Sequence, residues 1–330
     1  MLLNYESASI FVNPYVILLI GFCIGVMGAY FGSKAMFLAI PALNINSIPM
    51  VFAIGTDMAH ACTRTIIDSY HYKLFKVVNW HLTAILSLSG IMGLAAGHKL
   101  ILLTEHYHIT DTVVRFLYIA LLVILAIILI LKNNNRLPLL PKFSIHLTPL
   151  FNPSALIPVL FGIFSGFLAS FLGSGILLLQ IPFLIYFSNL PNTVILASNL
   201  AAFLVTSATG IKLWSSAGLL GVLTTTILLV GVIVGSYIGY AALNYIPPDK
   251  VSSKTKDFLL LMSAMKTILA IAVLMFGYIK FAKLLIIAAL LTPTVIVINY
   301  MLLEKMVRKI VSEEELVKDE IACTDKKTTT

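Results

Sequence analysis

A glycine-rich apolar run that occurs twice constrains the fold of this chain more than any other sequence feature. The first copy, residues 21–41, reads GFCIGVMGAYFGSKAMFLAIP, and the second, residues 162–182, reads GIFSGFLASFLGSGILLLQIP. When Gly21 is aligned with Gly162, the copies share three glycines, one serine and a terminal Ile-Pro pair. A Gly-Ser pair interrupts each copy near its middle, which predicts a helix that begins, unwinds and begins again.

Composition places these runs in a membrane. The chain is 59% hydrophobic and only 11% charged, whereas a soluble domain carries about 25% charged residues. Apolar runs long enough to span a bilayer recur along the whole length. We therefore predict an all-α polytopic membrane protein of about eight to nine spans. It would contain two tandem homologous four-helix repeats, each opening with a Gly-Ser-broken helix, and one extra C-terminal helix.

The order of apolar runs and polar connections predicts six segments. They are an N-terminal lead (1–14), a first transmembrane repeat (15–131), a Pro- and Asn-rich linker (132–154), a second transmembrane repeat (155–280), an extra transmembrane helix (281–303) and a charged, partly disordered tail (304–330).

The distribution of basic residues predicts an orientation when each broken run is counted as one crossing. Eight basic residues then share the side of the N-terminus: Lys73, Lys76, Lys132, Arg136, Lys142, Lys212, Lys280 and Lys283. Four fall on the other side: Lys99, Lys250, Lys254 and Lys256. This bias predicts a multi-pass protein of the plasma membrane with a cytoplasmic N-terminus.

Several function classes are disfavoured. The net charge is +8, but the basic residues are dispersed, so we expect no nucleic-acid partner. The three cysteines, Cys23, Cys62 and Cys323, lack metal-site spacing, so we expect no metal and no cofactor. Gly173-Ser174-Gly175 suggests a serine nucleophile, but Leu172 replaces the first glycine of that motif and every histidine lies at or before His146. We therefore do not expect an enzyme.

The paired glycine-rich runs resemble the TauE/SafE family of membrane transporters. The resemblance extends to the segments Gly55-Thr56 and Ala197-Ser198 and to the stretch from His71-Tyr72 to Asn79-Trp80, and it covers about residues 15–280. It implies a permease of two homologous four-helix bundles that passes small sulfur-containing or carboxylate anions. Two charged residues depart from the family pattern, Lys34 after the first break and Asp57 after Gly55-Thr56, so sulfite need not be the substrate.

The two breaks are the first candidate anion site. A helix that restarts after Gly32-Ser33 or Gly173-Ser174 would present free backbone N–H groups and a positive dipole end. A cation in mid-membrane costs about 3 kcal/mol, and an anion bound at the break would offset this cost for Lys34 in the first turn. The alternatives are a kink packed by glycine, and a Lys34 side chain that reaches the interface.

The second helix carries a row of polar residues at spacings of three and four, which places them on one face: Asp57, His60, Arg64, Asp68 and His71. The corresponding residues of the second half are neutral: Asn199, Ala202, Thr206 and Gly210. One hypothesis pairs Asp57 with Lys34 or Arg64 along a substrate path that Thr56, Asn199 and Thr206 complete with neutral hydrogen bonds. Another is a proton relay through Asp57 and His60. The alternative is a structural ladder of ion pairs.

These observations together predict a secondary carrier of small anions, sulfur-containing or organic acids, that works by alternating access with proton coupling. An anion channel and a non-transporting scaffold or receptor remain as alternatives. The expected partners are the anion and the lipid bilayer, and the glycine faces permit a homodimer.

Overall fold

The structure is a computed structural model that describes residues 3–5, 10–73, 76–133, 156–176, 180–181, 183–185, 190–245 and 253–328. The side chains of Ser33 and Lys34 lie outside the described part, as does most of the predicted linker.

The described chain is almost entirely helical. Two short antiparallel strands, β1 (Leu3–Tyr5) and β2 (Ile10–Val12), form a ribbon in the N-terminal lead. Ten α-helices follow: α1 (Pro14–Phe31), α2 (Ala39–Ile45), α3 (Met50–His71), α4 (Trp80–His106), α5 (Thr110–Asn133), α6 (Leu156–Leu172), α7 (Asn192–Ser216), α8 (Val222–Tyr245), α9 (Ser253–Met275) and α10 (Ile279–Thr328). Two 3-10 segments, Gly32–Leu38 and Gly173–Ile176, follow α1 and α6.

The all-α polytopic membrane fold is confirmed. Among the described residues, eight helices are long and apolar enough to cross a membrane. Helix α3, which has 22 residues and carries the predicted polar row, is not one of these eight helices. Asp57, His60, Arg64 and Asp68 are all buried there, so neighbouring helices cover them.

Two helix pairs pack through glycines so closely that backbone meets backbone. In the pair α1 and α8, a Cβ added to Gly235 would lie 2.1 Å from the carbonyl oxygen of Phe22. In the pair α4 and α6, a Cβ added to Gly93 would lie 1.9 Å from the carbonyl oxygen of Ile163. Only glycine permits such an approach. Phe22 and Ile163 occupy the same position in the two copies of the glycine-rich run, so the contact recurs with the sequence duplication.

Such contacts also fix the directions in which helices run. Gly21 lies against Leu228 and Ala29 against Gly239, so α1 and α8 run parallel. Thr56 contacts Thr225 and Arg64 contacts Ser236, so α3 runs with them.

The helices of the other group run the opposite way. Gly93 lies against Ile163 and Gly97 against Ser170, so α4 and α6 run parallel. Gly210 of α7 lies against Met58 of α3, whereas Gly55 of α3 lies against Trp214, so α7 is antiparallel to α3. Thr83 of α4 donates to the carbonyl of Ser198 in α7, and Gly90 lies against Thr206. Thus α1 and α6, the first helices of the two halves, run in opposite directions.

The chain reverses at the first break. Helix α1 ends at Gly32, which has φ +72°, a conformation that glycine adopts without penalty. Gly25 of α1 lies level with Arg64, because the Arg64 Nη1 is 3.4 Å from the carbonyl oxygen of Gly25. Asn44, after the break, donates to the carbonyl of Ile48 just ahead of α3. Since α3 runs parallel to α1, residues 32–45 return to the side where α1 begins.

The second break shows the same reversal. Gly173 has φ +52°, and Phe183, ten residues later, stacks on Phe161 near the start of α6 with ring centroids 3.7 Å apart. The predicted interruptions at Gly32 and Gly173 are therefore correct. The prediction that each run resumes in its original direction, as a single crossing, is wrong.

This reversal redistributes the basic residues. Residues 46–49 lie on the side where α1 begins, and α3 carries the chain across to Lys73 and Lys76. The prediction that these two lysines and Lys132 share the side of the N-terminus is therefore wrong. Lys99, near the end of α4, moves to the N-terminal side. The charge bias that predicted a cytoplasmic N-terminus does not hold with these helix directions.

Candidate functional site

A buried carboxylate of the first half closes on the break of the second half. Asp57 accepts the Ser174 backbone N–H at 2.6 Å on Oδ2 and the Ser174 hydroxyl at 2.9 Å on Oδ1. His60 Nδ1 lies 3.0 Å from the same Oδ1. Asp57, His60 and Ser174 are 0% exposed. We refer to Asp57, His60, Gly173 and Ser174 as the Asp57 junction.

Local backbone chemistry explains why the junction forms. Gly173 ends α6 in the left-handed region, and a Cβ there would lie 2.2 Å from Asp57 Oδ2. Glycine therefore both turns the chain and admits the carboxylate. The preceding carbonyl, of Leu172, accepts a hydrogen bond at 2.8 Å from the buried hydroxyl of Tyr118 in α5. The last carbonyl of α6 and the first N–H beyond the turn are thus both satisfied by side chains, as buried helix ends require.

The junction corrects two expectations about the breaks. The sequence predicted a free N–H at the second break, but the Ser174 N–H is already bound by Asp57. The sequence also offered Lys34 or Arg64 as partners of Asp57. The Asp57 carboxylate is bonded to His60 and Ser174, and the Lys34 side chain lies outside the described residues. The geometry of an anion at the first break, Gly32-Ser33, therefore stays a prediction.

Arg64 belongs to a separate buried cluster between α1, α3 and α8. Its Nη2 pairs with Asp68 Oδ1 at 2.8 Å, and its Nη1 donates to Ser236 Oγ at 2.8 Å. The Tyr240 hydroxyl also donates to Asp68. Arg64 and Asp57 are two turns apart on α3, about 10 Å along its axis. Because Asp68 neutralises the guanidinium, the contact matches the alternative of a structural ion pair, and the predicted Asp57–Arg64 pair is wrong.

The remaining predicted residues lie in other environments. Thr56 Oγ1 lies 3.2 Å from Thr225 Oγ1, and His71 stacks on Tyr240 at the end of α3 with ring centroids 3.8 Å apart. Asn199 and Thr206 line a small cavity between α4, α6 and α7. The Thr206 hydroxyl donates to the carbonyl of Ala202 in its own helix.

The Asn199 cavity and the Asp57 junction are distinct places. Met58 lies opposite Gly210 where α3 and α7 pack antiparallel, and Asn199 is eleven residues before Gly210. Asn199 is therefore about 16 Å along the helix axis from the level of Met58, the residue after Asp57. The structure therefore does not bring Asn199 into contact with Asp57.

Sequence reasoning missed a polar cluster at the other end of α3. Asp111 of α5 accepts the backbone N–H of Met50 at 3.0 Å, which satisfies a free donor at the first turn of α3. Arg115 pairs with Asp111 at 3.0 Å and donates from Nε to Asn44 Oδ1 at 3.1 Å. The available signal was a charged (i, i+4) pair at the start of an apolar span.

Comparison with protein families gives one decisive finding. Residues 17–265 match the family model described as sulfite exporter TauE/SafE. The chain belongs to the TauE/SafE family. TauE/SafE proteins form a sulfite exporter family of membrane transporters, and this member is a multi-pass membrane protein. Comparison with curated proteins gave no match, and comparison with solved structures gave none.

In this TauE/SafE chain, a charged residue of the first half, Asp57, forms the junction with the turn of the second half. Asp57 places two carboxylate oxygens against the donors of Ser174. The backbone N–H and the hydroxyl of Ser174 are two neighbouring donors that the oxygens of an oxyanion can accept.

Proposed function

We propose that this chain is a secondary transporter of small anions, either sulfur-containing oxyanions or organic acids, that works by alternating access. Membership of a transporter family supports the class of function. The observation that carries the mechanism is the buried contact between the Asp57 carboxylate and Ser174, which joins the two halves inside the protein. An isolated charge at that depth costs several kcal/mol, so buried ionisable groups in membranes commonly mark transport paths.

In this mechanism Asp57 acts as a tethered competitor of the substrate. Its two oxygens accept hydrogen bonds from the backbone N–H and the hydroxyl of Ser174, at 2.6 and 2.9 Å. A sulfonate, sulfite or carboxylate group presents oxygens that accept the same two hydrogen bonds. Two anions cannot share these donors, because like charges in a low-dielectric site repel strongly. The substrate therefore enters only when the carboxylate withdraws or is neutralised.

His60 supplies a route to that neutralisation. Its Nδ1 is 3.0 Å from Asp57 Oδ1, and its Nε2 is buried without a partner among the described residues. An imidazole can accept a proton on one ring nitrogen and release a proton from the other, so a proton can reach the carboxylate through His60. Uptake of one proton by this pair would release the Ser174 donors to one substrate anion. Anion and proton would then move in the same direction.

Alternating access follows from the arrangement of the two halves, which we propose are inverted repeats. The pairs α1 with α8 and α4 with α6 each join one helix of each half, backbone against backbone. Such seams keep their shape, so each pair would move as a unit. The two 3-10 segments contact each other between these units. Rocking about this central contact would open and close the Asp57 junction.

We place the protein in the plasma membrane, with the connection between α3 and α4 on the cytoplasmic side. Lys73 and Lys76 lie in that connection, and the end of α5 and the start of α9, which carry further lysines, lie on the same side. Cytoplasmic connections are enriched in lysine and arginine. This arrangement puts the start of α1 outside. A homodimer remains compatible with exposed apolar surfaces such as that formed by Phe116, Val123 and Ile127 on α5.

The experiment is anion flux into proteoliposomes that contain purified protein. A panel of sulfite, sulfate, thiosulfate, a sulfonate and small carboxylates is tested with and without a pH gradient. Saturable flux of one member that the gradient drives supports a proton-linked carrier and identifies the substrate class. Flux that does not saturate supports a channel. Absence of flux for the whole panel, in protein shown to be folded, contradicts the proposal and favours a receptor or scaffold.

A further inference from the structure

The second half contains a buried polar cavity at the place where the first half holds Arg64. Thr206 is the counterpart of Arg64 when the second helices of the two halves are aligned, and Gly166 and Ala169 are the counterparts of Gly25 and Gly28 in the glycine-rich runs. In the first half the guanidinium fills the space beside Gly25 and Gly28. In the second half Thr206 is much shorter than arginine, and a cavity remains beside Gly166, Ala169 and Thr206.

Two unsatisfied amides line this cavity. Asn199 is 1% exposed and Gln180 is 9% exposed. Asn199 Nδ2, a donor, and Gln180 Oε1, an acceptor, have no hydrogen-bond partner among the described residues. Leaving such a group buried and unpaired destabilises the folded protein, because the desolvation of the group is not compensated. A ligand that accepts from Asn199 and donates to Gln180 would remove both costs.

The size and charge of the cavity select the ligand. Its volume accommodates about one water molecule. Among its described lining residues none is charged, so an anion there would lack a compensating cation. A donor and an acceptor facing the same small space match the two roles of one water molecule.

We propose that Asn199 and Gln180 hold a single buried water molecule, which takes the place that the Arg64 guanidinium occupies in the first half. The second half thereby holds a neutral water molecule where the first half holds a charged guanidinium. This water site is independent of the Asp57 junction, from which Asn199 is about 16 Å away along the helix axis. Its test therefore does not depend on the proposed transport mechanism.

Hydroxyl-radical footprinting of the purified full chain tests the water directly, because radicals generated from a bound water oxidise the side chains beside it. Phe203 lines the cavity, whereas Phe37 is a fully buried core side chain. We expect Phe203 to be oxidised several-fold faster than Phe37. The difference should disappear in Asn199→Leu and in Gln180→Met. It should persist in Thr206→Val, the matched control, which keeps the shape but removes a hydroxyl bonded to Ala202.

Equal oxidation of Phe203 and Phe37 in the native protein would overturn the water site, as would a difference that both amide variants leave unchanged. If Asn199→Leu does not fold, Gln180→Met alone decides. A second measurement is the free energy of unfolding of the two single variants and the double variant. A shared water makes the loss in the double variant smaller than the sum of the single losses. Additive or stabilising changes would show that the amides share no water.

Discussion

Asp57 and Ser174, distant in the chain, are joined by two hydrogen bonds inside the protein. The carboxylate comes from α3 of the first half, and the two donors come from the turn that ends α6 in the second half. The donors of the second break are therefore bound by a carboxyl group of the protein itself. Substitutions at this contact should therefore affect both the stability of the fold and the transport of the anion.

Gly173 should be more sensitive to alanine than other glycines with positive φ. Alanine in the left-handed region costs about 1–2 kcal/mol, and at Gly173 the added Cβ would also lie 2.2 Å from Asp57 Oδ2. Gly218 has φ +69° with no atom within 4 Å of an added Cβ, so Gly218→Ala is the matched control. Thermal unfolding in detergent should show a clearly larger loss for Gly173→Ala. Equal losses would mean that the carboxylate is not held against the turn.

Removal of Arg64 should destabilise the protein strongly. Arg64→Met leaves Asp68 buried without its cation, and breaking such a pair costs about 3–5 kcal/mol. The side chains of the control pair, Arg115 and Asp111, are 20% and 40% exposed, so we expect Arg115→Met to cost about 1 kcal/mol or less. Chemical denaturation of the purified variants measures both losses.

The double variant Arg64→Met with Asp68→Asn separates the ion pair from the other contacts of Arg64. Neutralising both partners removes the uncompensated charge, so the double variant should be more stable than Arg64→Met alone. A double variant that is no more stable would show that the bonds to Ser236 and Gly25 dominate.

Asp111 should stabilise the start of α3 as a cap. Asp111→Ala removes the acceptor of the Met50 N–H, and loss of a cap costs about 0.5–2 kcal/mol. Asp111→Asn keeps an acceptor oxygen and should lose less, as measured by thermal unfolding. If the two substitutions destabilise equally, charge pairing with Arg115 is the larger contribution.

The chain reversal at Gly32 predicts which loops share a side of the membrane. Single cysteines at Tyr15, Ser47 and Lys73 are placed in a background without Cys23, Cys62 and Cys323 and labelled with an impermeant reagent. Tyr15 and Ser47 are exposed, and they should label from the same side, with Lys73 on the opposite side. Labelling of Tyr15 and Ser47 from opposite sides would show that the first glycine-rich run crosses the membrane once without reversing.

The sequence predicts the fold class well because apolar runs and glycine pairs are local signals. The helices do break at Gly32 and Gly173, as the Gly-Ser pairs indicate. The direction after each break was not predictable, because a left-handed glycine permits several exits. Contacts distant in sequence select among them, such as Ser174 Oγ with the carbonyl of Met36 at 3.4 Å.

The site shows the same division. The spacing of Asp57, His60, Arg64 and Asp68 places them on one helix, and all four are buried. Their partners depend on which neighbour faces each turn of α3. Gly28 leaves room for the Arg64 guanidinium, because a Cβ added to Gly28 would lie 3.2 Å from the guanidinium carbon. Asp57 instead faces the turn at Gly173. Nothing in the spacing along α3 distinguishes these two environments.

In the proposed mechanism, the Asp57 carboxylate competes with the substrate anion and couples its transport to a proton. Anion accumulation driven by a pH gradient, in proteoliposomes containing native protein or Asp57→Asn, tests it most directly. Asparagine still offers an acceptor to Ser174 but carries no charge and binds no proton. We predict that Asp57→Asn still moves the anion down its own gradient but no longer accumulates it when a pH gradient is applied. Full proton-driven accumulation by Asp57→Asn would show that the Asp57 carboxylate does not couple the anion to the proton.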